Sequence, residues 1–262
     1  MRLDKFLTKK GYFLSREKAK DAILQKTVKV NGNIASKVSI EIEENADIEI
    51  IDIFNRYVSR GGLKLEKAIF HFNLDFQGKK VLDVGASTGG FTDCALKHGA
   101  AYCFCVDVGS HQLVESIRTN PAVGFIENCD FRDFHSEQKF DFIVSDVSFI
   151  SLTALMPYFG NFFENNGQMV LLIKPQFEAG PSFLNKTGIV TDDKAYKISI
   201  QRVVKEAINF NFYLQNLSVS TLFETKKNVE FLALFSRKKS NFEVDFKQLF
   251  LEVKNLKAGC RN

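Results

Sequence analysis

Residues 79–92 read KKVLDVGASTGGFT: an apolar run through Val81, Leu82 and Val84, a glycine-rich turn, then the opening of a helical stretch. An apolar run without polar alternation marks a strand buried on both faces, which belongs in a parallel sheet covered by helices. The same order of strand, turn and helix continues outward. AYCFCVDVG (101–109), GFI (124–126), FDFIVSDV (140–147) and GQMVLLIK (167–174) read as further strands. FTDCALKHG (91–99), SLTALMPYFGNFF (151–163) and YKISIQRVVKEAINF (196–210) read as helical stretches among and after them. NLSVSTLF (216–223) and EFLALFSR (230–237) follow with only a short loop between them, too short for the crossover that parallel strands need. The expectation is an α/β fold with a Rossmann-like, mostly parallel seven-stranded sheet and an antiparallel edge pair.

The turn suggests what the sheet binds. Gly85, Ala86, Ser87, Gly89, Gly90 and Phe91 let the backbone approach a ligand, and the following helix start offers free N–H groups. A dinucleotide fingerprint needs glycine where Ser87 stands. Asp83 ends the strand, and a carboxylate there repels a pyrophosphate but pairs with an ammonium. Asp107 ends the second strand, where acids accept from ribose hydroxyls, with Val108 beside it. Asp130, past the third strand, can accept from an adenine amine. Ammonium, ribose and adenine occur together in S-adenosylmethionine. Any one of these acids is equally well read as a strand-end cap; the three acids with the loop are not.

The net charge of +4 is unevenly distributed. Residues 1–40 carry +7, residues 41–52 carry −6, residues 53–67 carry +3, and the remainder is neutral. A localised basic segment is the footprint of a phosphate-backbone partner, or else a solvated helix face. Leu3, Phe6 and Leu7 recur at helical spacing before Gly11, and Ser15 is placed to cap a second helix, REKAKDAILQ (16–25). TVKVNGNIA (27–35) is a hairpin around Asn31-Gly32, and ADIEII (46–51) a closing strand. Arg2, Lys5, Lys9, Arg16, Lys18 and Lys20 lie on the two helices. The strings RLDKFL, SREKA and VKVNG together resemble the S4 RNA-binding domain, which implies recognition of folded RNA by shape and phosphate. Lys26 and Val38 depart from it, where that family favours glycine and often has proline.

DVGASTGGFTDCALKHGA, DVSFISL and KPQFEAG, from Asp83, Asp146 and Lys174 onward, resemble one family closely. It is the TlyA family of ribosomal RNA 2′-O-methyltransferases, which joins an S4 domain to an FtsJ-like (RrmJ-like) catalytic domain. The resemblance implies an S4-like domain over 1–55, a linker over 56–62 and a methyltransferase domain over 63–262. It also implies a Lys-Asp-Lys-Glu tetrad, carried by motif onto Lys64 in SRGGLKL, Asp146 in SDVSF, Lys174 in LLIKPQFE and Glu230 in NVEFL. Arg60 joins the residues expected at the RNA.

The implied reaction is attack of a ribose 2′-oxygen on a methyl sulfonium. The hydroxyl must lose its proton, and the developing oxyanion needs a positive neighbour. Lys174 is the candidate for both tasks, although an unperturbed lysine near pKa 10.4 is neutral in only about one part in a few thousand at pH 7. Nearby cations ease that deprotonation and nearby carboxylates oppose it. Lys64 is expected to add positive field, and the two acids to hold the lysines. Asp130 stands where the family more often has Asn, and the run before NVEFL lacks the family's glycines. Residues 179–188 (AGPSFLNKTG) are read as a lid or as a plain surface loop. Arg56-Tyr57-Val58 stands at the family's linker, a possible coupling of RNA docking to donor binding.

The family's short forms, which lack extensions at both ends, are associated with the large-subunit RNA. A chain opening at RLDKFL is therefore expected to act on a cytidine of 23S rRNA in the 50S subunit, as a monomer. In the family this modification confers capreomycin and viomycin susceptibility. The longest apolar run lies near Met169–Ile173, far short of a membrane span, and no signal-peptide core precedes it, so a cytoplasmic location without membrane association is expected. Five cysteines form no metal-ligand pattern, no metal is expected, and the 27 phenylalanines are read as core filler. A haemolysin, the activity after which such proteins were first named, and a non-catalytic rRNA-binding protein are the competing readings.

Overall fold

The computed structural model describes residues 1–13, 16–24, 27–50, 56–220 and 227–259. The chain forms two compact units, residues 1–56 with 255–262, and residues 57–254.

The first unit contains α1 (Leu3–Lys9), α2 (Arg16–Leu24), β1 (Val28–Val30), β2 (Asn33–Ile34) and β3 (Ile48–Ile50). Leu3, Phe6 and Leu7 of α1 meet Ala19, Ala22 and Ile23 of α2 and Val28 of β1 in one core. These are the positions that 3.6-residue periodicity puts on one face. Asn31 (φ 50°) and Gly32 (φ 78°) both take left-handed backbone, the requirement of a tight hairpin turn joining β1 to β2. β3 pairs on the other side of β1, giving the antiparallel order β2-β1-β3. Ser15 and Lys26, read as a helix cap and a departure from the S4 pattern, lie outside the described residues.

The second unit begins with α3 (Gly61–His71), β4 (Lys80–Val84), α4 (Gly90–Lys97), β5 (Tyr102–Val106), α5 (Glu115–Arg118), β6 (Val123–Ile126) and β7 (Phe140–Ser145). It continues with α6 (Met156–Phe159), β8 (Phe163–Ile173), α7 (Pro175–Glu178), α8 (Asp193–Asn209), β9 (Tyr213–Val219) and β10 (Phe231–Ser236), and α9 (Phe246–Gly259) follows. The seven strands run in the order β6-β5-β4-β7-β8-β10-β9. β6, β5, β4, β7 and β8 are parallel, whereas β10 is antiparallel to both β8 and β9. Residues 151–163 are not one helix: α6 is a single turn flanked by two 3-10 turns. The phenylalanine excess does fill core, with Phe131, Phe134, Phe159 and Phe162 packed ring to ring. Tyr57 packs with this unit, its hydroxyl donating to Glu66 Oε1 at 2.8 Å, and the Val58 N–H donates to Asp93 at 2.8 Å.

Register places the functional groups. Phe231 pairs with Ile173, so Glu230 and Lys174, each one residue beyond that pair, emerge at the same edge of the sheet. Val84 pairs with Ser145, so the glycine turn and Asp146 leave neighbouring strands together.

Candidate active site

Four charged side chains from four segments converge at that edge. Lys64, in the first turn of α3, reaches Asp146 Oδ2 at 3.0 Å and Glu230 Oε2 at 2.8 Å. Lys174 reaches Asp146 Oδ1 at 2.6 Å, so the aspartate bridges the two lysines with one oxygen each. Burial alone would depress Lys64, but Asp146 and Glu230 outweigh it and hold its ammonium above the ordinary lysine value. Lys64 therefore stays charged across the physiological range. The Lys174 side chain is 7% exposed, and its amine also donates to Ser148 Oγ at 2.8 Å and to the Asp146 carbonyl at 3.4 Å. The Asp146 Oδ1 contact is an ion pair outside hydrogen-bond geometry, so Ser148 Oγ and the Asp146 carbonyl take two of the three ammonium hydrogens. Backbone pairing secures the fourth member: the Glu230 carbonyl accepts from Ser220 N–H at 2.8 Å.

The segment after Asp146 is unusual. Phe149 has φ 67°, a left-handed conformation uncommon for a bulky residue, and its side chain is 93% exposed. Its ring lies 5.7 Å from that of Phe177 in α7. Ser151 and Leu152, at the far end of the same segment, are held by the buried carboxylate of Glu178: Ser151 Oγ donates at 2.6 Å and Leu152 N–H at 2.7 Å. Residues 185–190, which overlap the stretch read as a lid or a surface loop, form an Asx-centred turn. Asn185 Oδ1 accepts from Thr187 and Ile189 N–H, and Asn228 clasps Gly188 and Val190.

The glycine turn leads from β4 to α4. Gly85 has φ 80°, and a Cβ there would lie 2.9 Å from Val147 Cγ1; Gly89 caps α4 with φ 90°. Only glycine adopts such backbone without strain. Asp83 is 1% exposed, and its Oδ2 accepts from Thr92 N–H at 3.0 Å and Thr92 Oγ1 at 2.7 Å. Burial pushes its carboxyl up to about 7 against the Thr92 bonds, and the charges of Asp146 and Asp107 add to the rise. Asp107 accepts from Ser87 N–H and Gly109 N–H, each at 2.7 Å, so it ties the turn to the end of β5. Val108 beside it is 70% exposed. Ala86 and Phe91 are buried packing residues of the turn. Asp130 is engaged differently from the sequence reading: Arg132 spans both of its oxygens, at 3.0 and 2.6 Å, and holds its carboxyl below the usual range. Oδ2 takes one of these bonds, so it keeps a lone pair.

In the first unit, Arg2 and Arg16 both reach Asp4, at 3.1 and 2.7 Å, while remaining about half exposed. Lys5 and Lys9 are exposed on α1, Lys20 is half-buried, and the Lys18 side chain lies outside the described set. Arg60 immediately precedes α3. Sequence reasoning missed Ser148, Phe149, Asp4 and Glu178. Phe149 and Glu178 sit inside quoted motifs, yet nothing in their spacing separates an exposed ring or a buried strut from core and surface.

The comparisons agree with this division. An FtsJ-like methyltransferase family model matches residues 57–237, and an S4 domain model matches residues 1–48. The chain is similar to Hemolysin A of Brachyspira hyodysenteriae, 41% identical over 90% of this chain and 99% of that protein. It is also similar to the 23S rRNA (cytidine-2′-O)-methyltransferase TlyA of Campylobacter jejuni, 35% identical over 88% and 97% of the two chains. A solved chain described as a candidate hemolysin from Streptococcus thermophilus superposes with a TM-score of 0.75 at 34% identity, covering 98% of this chain and 96% of that one.

Proposed function

Because this chain belongs to the FtsJ-like methyltransferase family, we propose that it methylates the 2′-oxygen of a cytidine in ribosomal RNA, with 23S rRNA of the 50S subunit as the target. The observation that carries the reading is the Lys64–Asp146–Lys174–Glu230 network at the sheet edge, one register step from the glycine turn. We place the protein in the cytoplasm, where ribosomes are, acting as a monomer. Among the described residues no helix is long and apolar enough to cross a membrane. We also expect methylation to confer capreomycin and viomycin susceptibility.

The family's methyl donor is S-adenosylmethionine, and the turn suits it. Among the described residues nothing donates to Asp83 Oδ1, which leaves a nearly buried carboxylate oxygen suited to an ammonium. Asp107 retains lone pairs for ribose hydroxyls, and Val108 offers an apolar face. Gly85 to Gly90 let the backbone approach, and Asp130 Oδ2, which takes one bond from Arg132, keeps a lone pair for the adenine amine. The donor supplies an electrophilic methyl on a positively charged sulfur. The protein supplies the rest. Lys174 meets the 2′-hydroxyl in place of the long contact to the Asp146 carbonyl and orients it; as the neutral amine it takes up the hydroxyl proton, and as the ammonium it stabilises the developing charge while the proton passes to water. Lys64 adds a fixed positive charge, and Asp146 and Glu230 fix both lysines. Phe149 presents a ring on which an unstacked base can lie.

Tritiated methyl transfer from S-adenosylmethionine to 50S, 30S and 70S particles, with the modified nucleotide mapped, tests this. Label in a 23S cytidine ribose is expected; transfer to 30S alone would sink the 23S assignment. Near-normal transfer by Lys174→Ala with donor affinity intact would sink the role given to that lysine.

A further inference from the structure

Glu178 is a fully buried acid that the chemistry above does not use. Removing a carboxylate from water is costly unless its oxygens are well paired, and burial does hold its carboxyl above the usual range. Both oxygens are paired, and both with the same short stretch: Oε1 accepts from Leu152 N–H at 2.7 Å and Oε2 from Ser151 Oγ at 2.6 Å. The Glu178 carbonyl in turn accepts from Arg202 of α8 at 3.0 Å, which anchors the end of α7.

Two segments are thereby joined twice. Residues 146–152 follow β7 and residues 174–178 follow β8. At one end Lys174 grips Asp146 and Ser148; at the other Glu178 grips Ser151 and Leu152. Between these ends lie Ser148, whose hydroxyl accepts one of the Lys174 hydrogens, and Phe149, which sits in strained left-handed backbone. A loop fixed only at Asp146 could relax that strain by moving Ser148 away from the amine.

We propose that Glu178 is a positioning residue for methyl transfer: its clasp on Ser151 and Leu152 holds the 146–152 segment so that Asp146 and Ser148 keep Lys174 aimed at the acceptor hydroxyl. The inference rests on the role given to Lys174 above. It assigns Glu178 no contact with RNA or donor.

The test uses the full chain with S-adenosylmethionine and the ribosomal particle that accepts label. Glu178→Gln preserves both contacts. Its amide oxygen accepts from Leu152, and its NH2 donates to Ser151 Oγ, which turns its own proton to Thr153 Oγ1, 2.7 Å away. Its kcat is expected within about threefold of wild type. Glu178→Ala leaves both partners unpaired, and kcat is expected to fall roughly 10- to 100-fold, the scale of a slightly misplaced reacting group. KM for the particle and donor affinity should stay within about twofold. If Glu178→Ala does not fold, Ser151→Ala removes one contact and should lower kcat several-fold with KM unchanged. Wild-type kcat in the folded alanine variants overturns the proposal. So does a loss that only tracks the unfolded fraction, or a Gln variant as impaired as the Ala variant. Lys174→Ala runs alongside: if it stays active, the reading of the site fails and this proposal with it. If Lys174→Ala is inactive while Glu178→Ala is fully active, only the positioning role fails.

Discussion

Replacing Asp83 by asparagine is expected to move two properties in opposite directions. The wild-type carboxyl is buried, and its value rises from 3.8 to about 7 in the folded chain. In the unfolded chain it ionises near the ordinary value, so between roughly pH 4 and 7 the folded state binds a proton that the unfolded state has lost. Stability of the donor-free protein therefore falls as pH rises through this window. Above pH 7 the full cost is present, on the order of 4 kcal/mol at 1.36 kcal/mol per unit. Asparagine removes the charge while its amide oxygen still accepts from Thr92 N–H and Oγ1. Melting curves should thus show Asp83→Asn more stable than wild type at pH 8 and close to it at pH 5. Donor affinity should move the other way. The variant cannot pair with an ammonium, and calorimetry at pH 7.5 should show binding weakened at least roughly tenfold. Wild-type affinity should itself decline below pH 7, where Asp83 must first lose its proton. It should also decline above about pH 8, where an α-amino group loses its charge. A variant less stable than wild type at pH 8, or one binding the donor with wild-type affinity and pH profile, would refute the reasoning.

Lys64→Met leaves Asp146 and Glu230 without their shared cation; single-turnover methyl transfer should slow roughly 100-fold, the scale of removing one electrostatic group, with donor affinity nearly unchanged in calorimetry. Gly85→Ala puts a Cβ 2.9 Å from Val147 Cγ1 at φ 80°; about 1–2 kcal/mol of backbone strain should appear in melting, and donor affinity should drop. Asp4→Asn removes a carboxylate that Arg16 and Arg2 hold below its ordinary value against the effect of burial. That stabilisation is present above about pH 4 and lost as pH falls further, so hydrogen exchange in α1 should quicken for the variant at pH 7 and converge with wild type in acid.

What the sequence discloses here follows from where physical constraints are local. KKVLDVG and MVLLIK announce buried parallel strands because a doubly covered strand has no polar face to alternate with. Lys174 stands out as a cation ending such a run, and the short loop before EFLALFSR rules out a parallel crossover. The position of Glu230 is a matter of ladder register, Phe231 opposite Ile173, which no local pattern reveals. The breakup of residues 151–163 into single turns was equally hidden. Its apolar residues suit a helix, but Glu178, 26 residues away, takes the Leu152 N–H and sets how that stretch begins. Asp130 reads as an acceptor from its place past the third strand, whereas its pairing with Arg132, two residues on, is not visible in that placement. Local sequence thus marks strands and their ends, whereas the pairing of polar groups across the fold decides which acids remain open to a ligand.

The same rule sharpens the uneven charge. Asp4 and Asp146 each hold two cations with one carboxylate, yet the surroundings give the two clusters different uses. Around Asp4 the partners are arginines about half exposed, and among the described residues no second acid is paired with them. Each guanidinium has five N–H donors, so most remain to meet phosphate, and the triad carries a net positive charge. Around Asp146 the partners are largely buried lysines, and Glu230 brings the cluster to neutrality. A neutral, closely paired cluster attracts RNA weakly from a distance but can stabilise charge that develops within it. The +7 of the first 40 residues and the local neutrality of the tetrad are therefore complementary. On the proposed reading, attraction of the polyanion falls to exposed charges at the start of the chain. On the same reading, the reaction falls to lysines whose charges are already balanced, so that the charge formed during methyl transfer is the one they are left to stabilise.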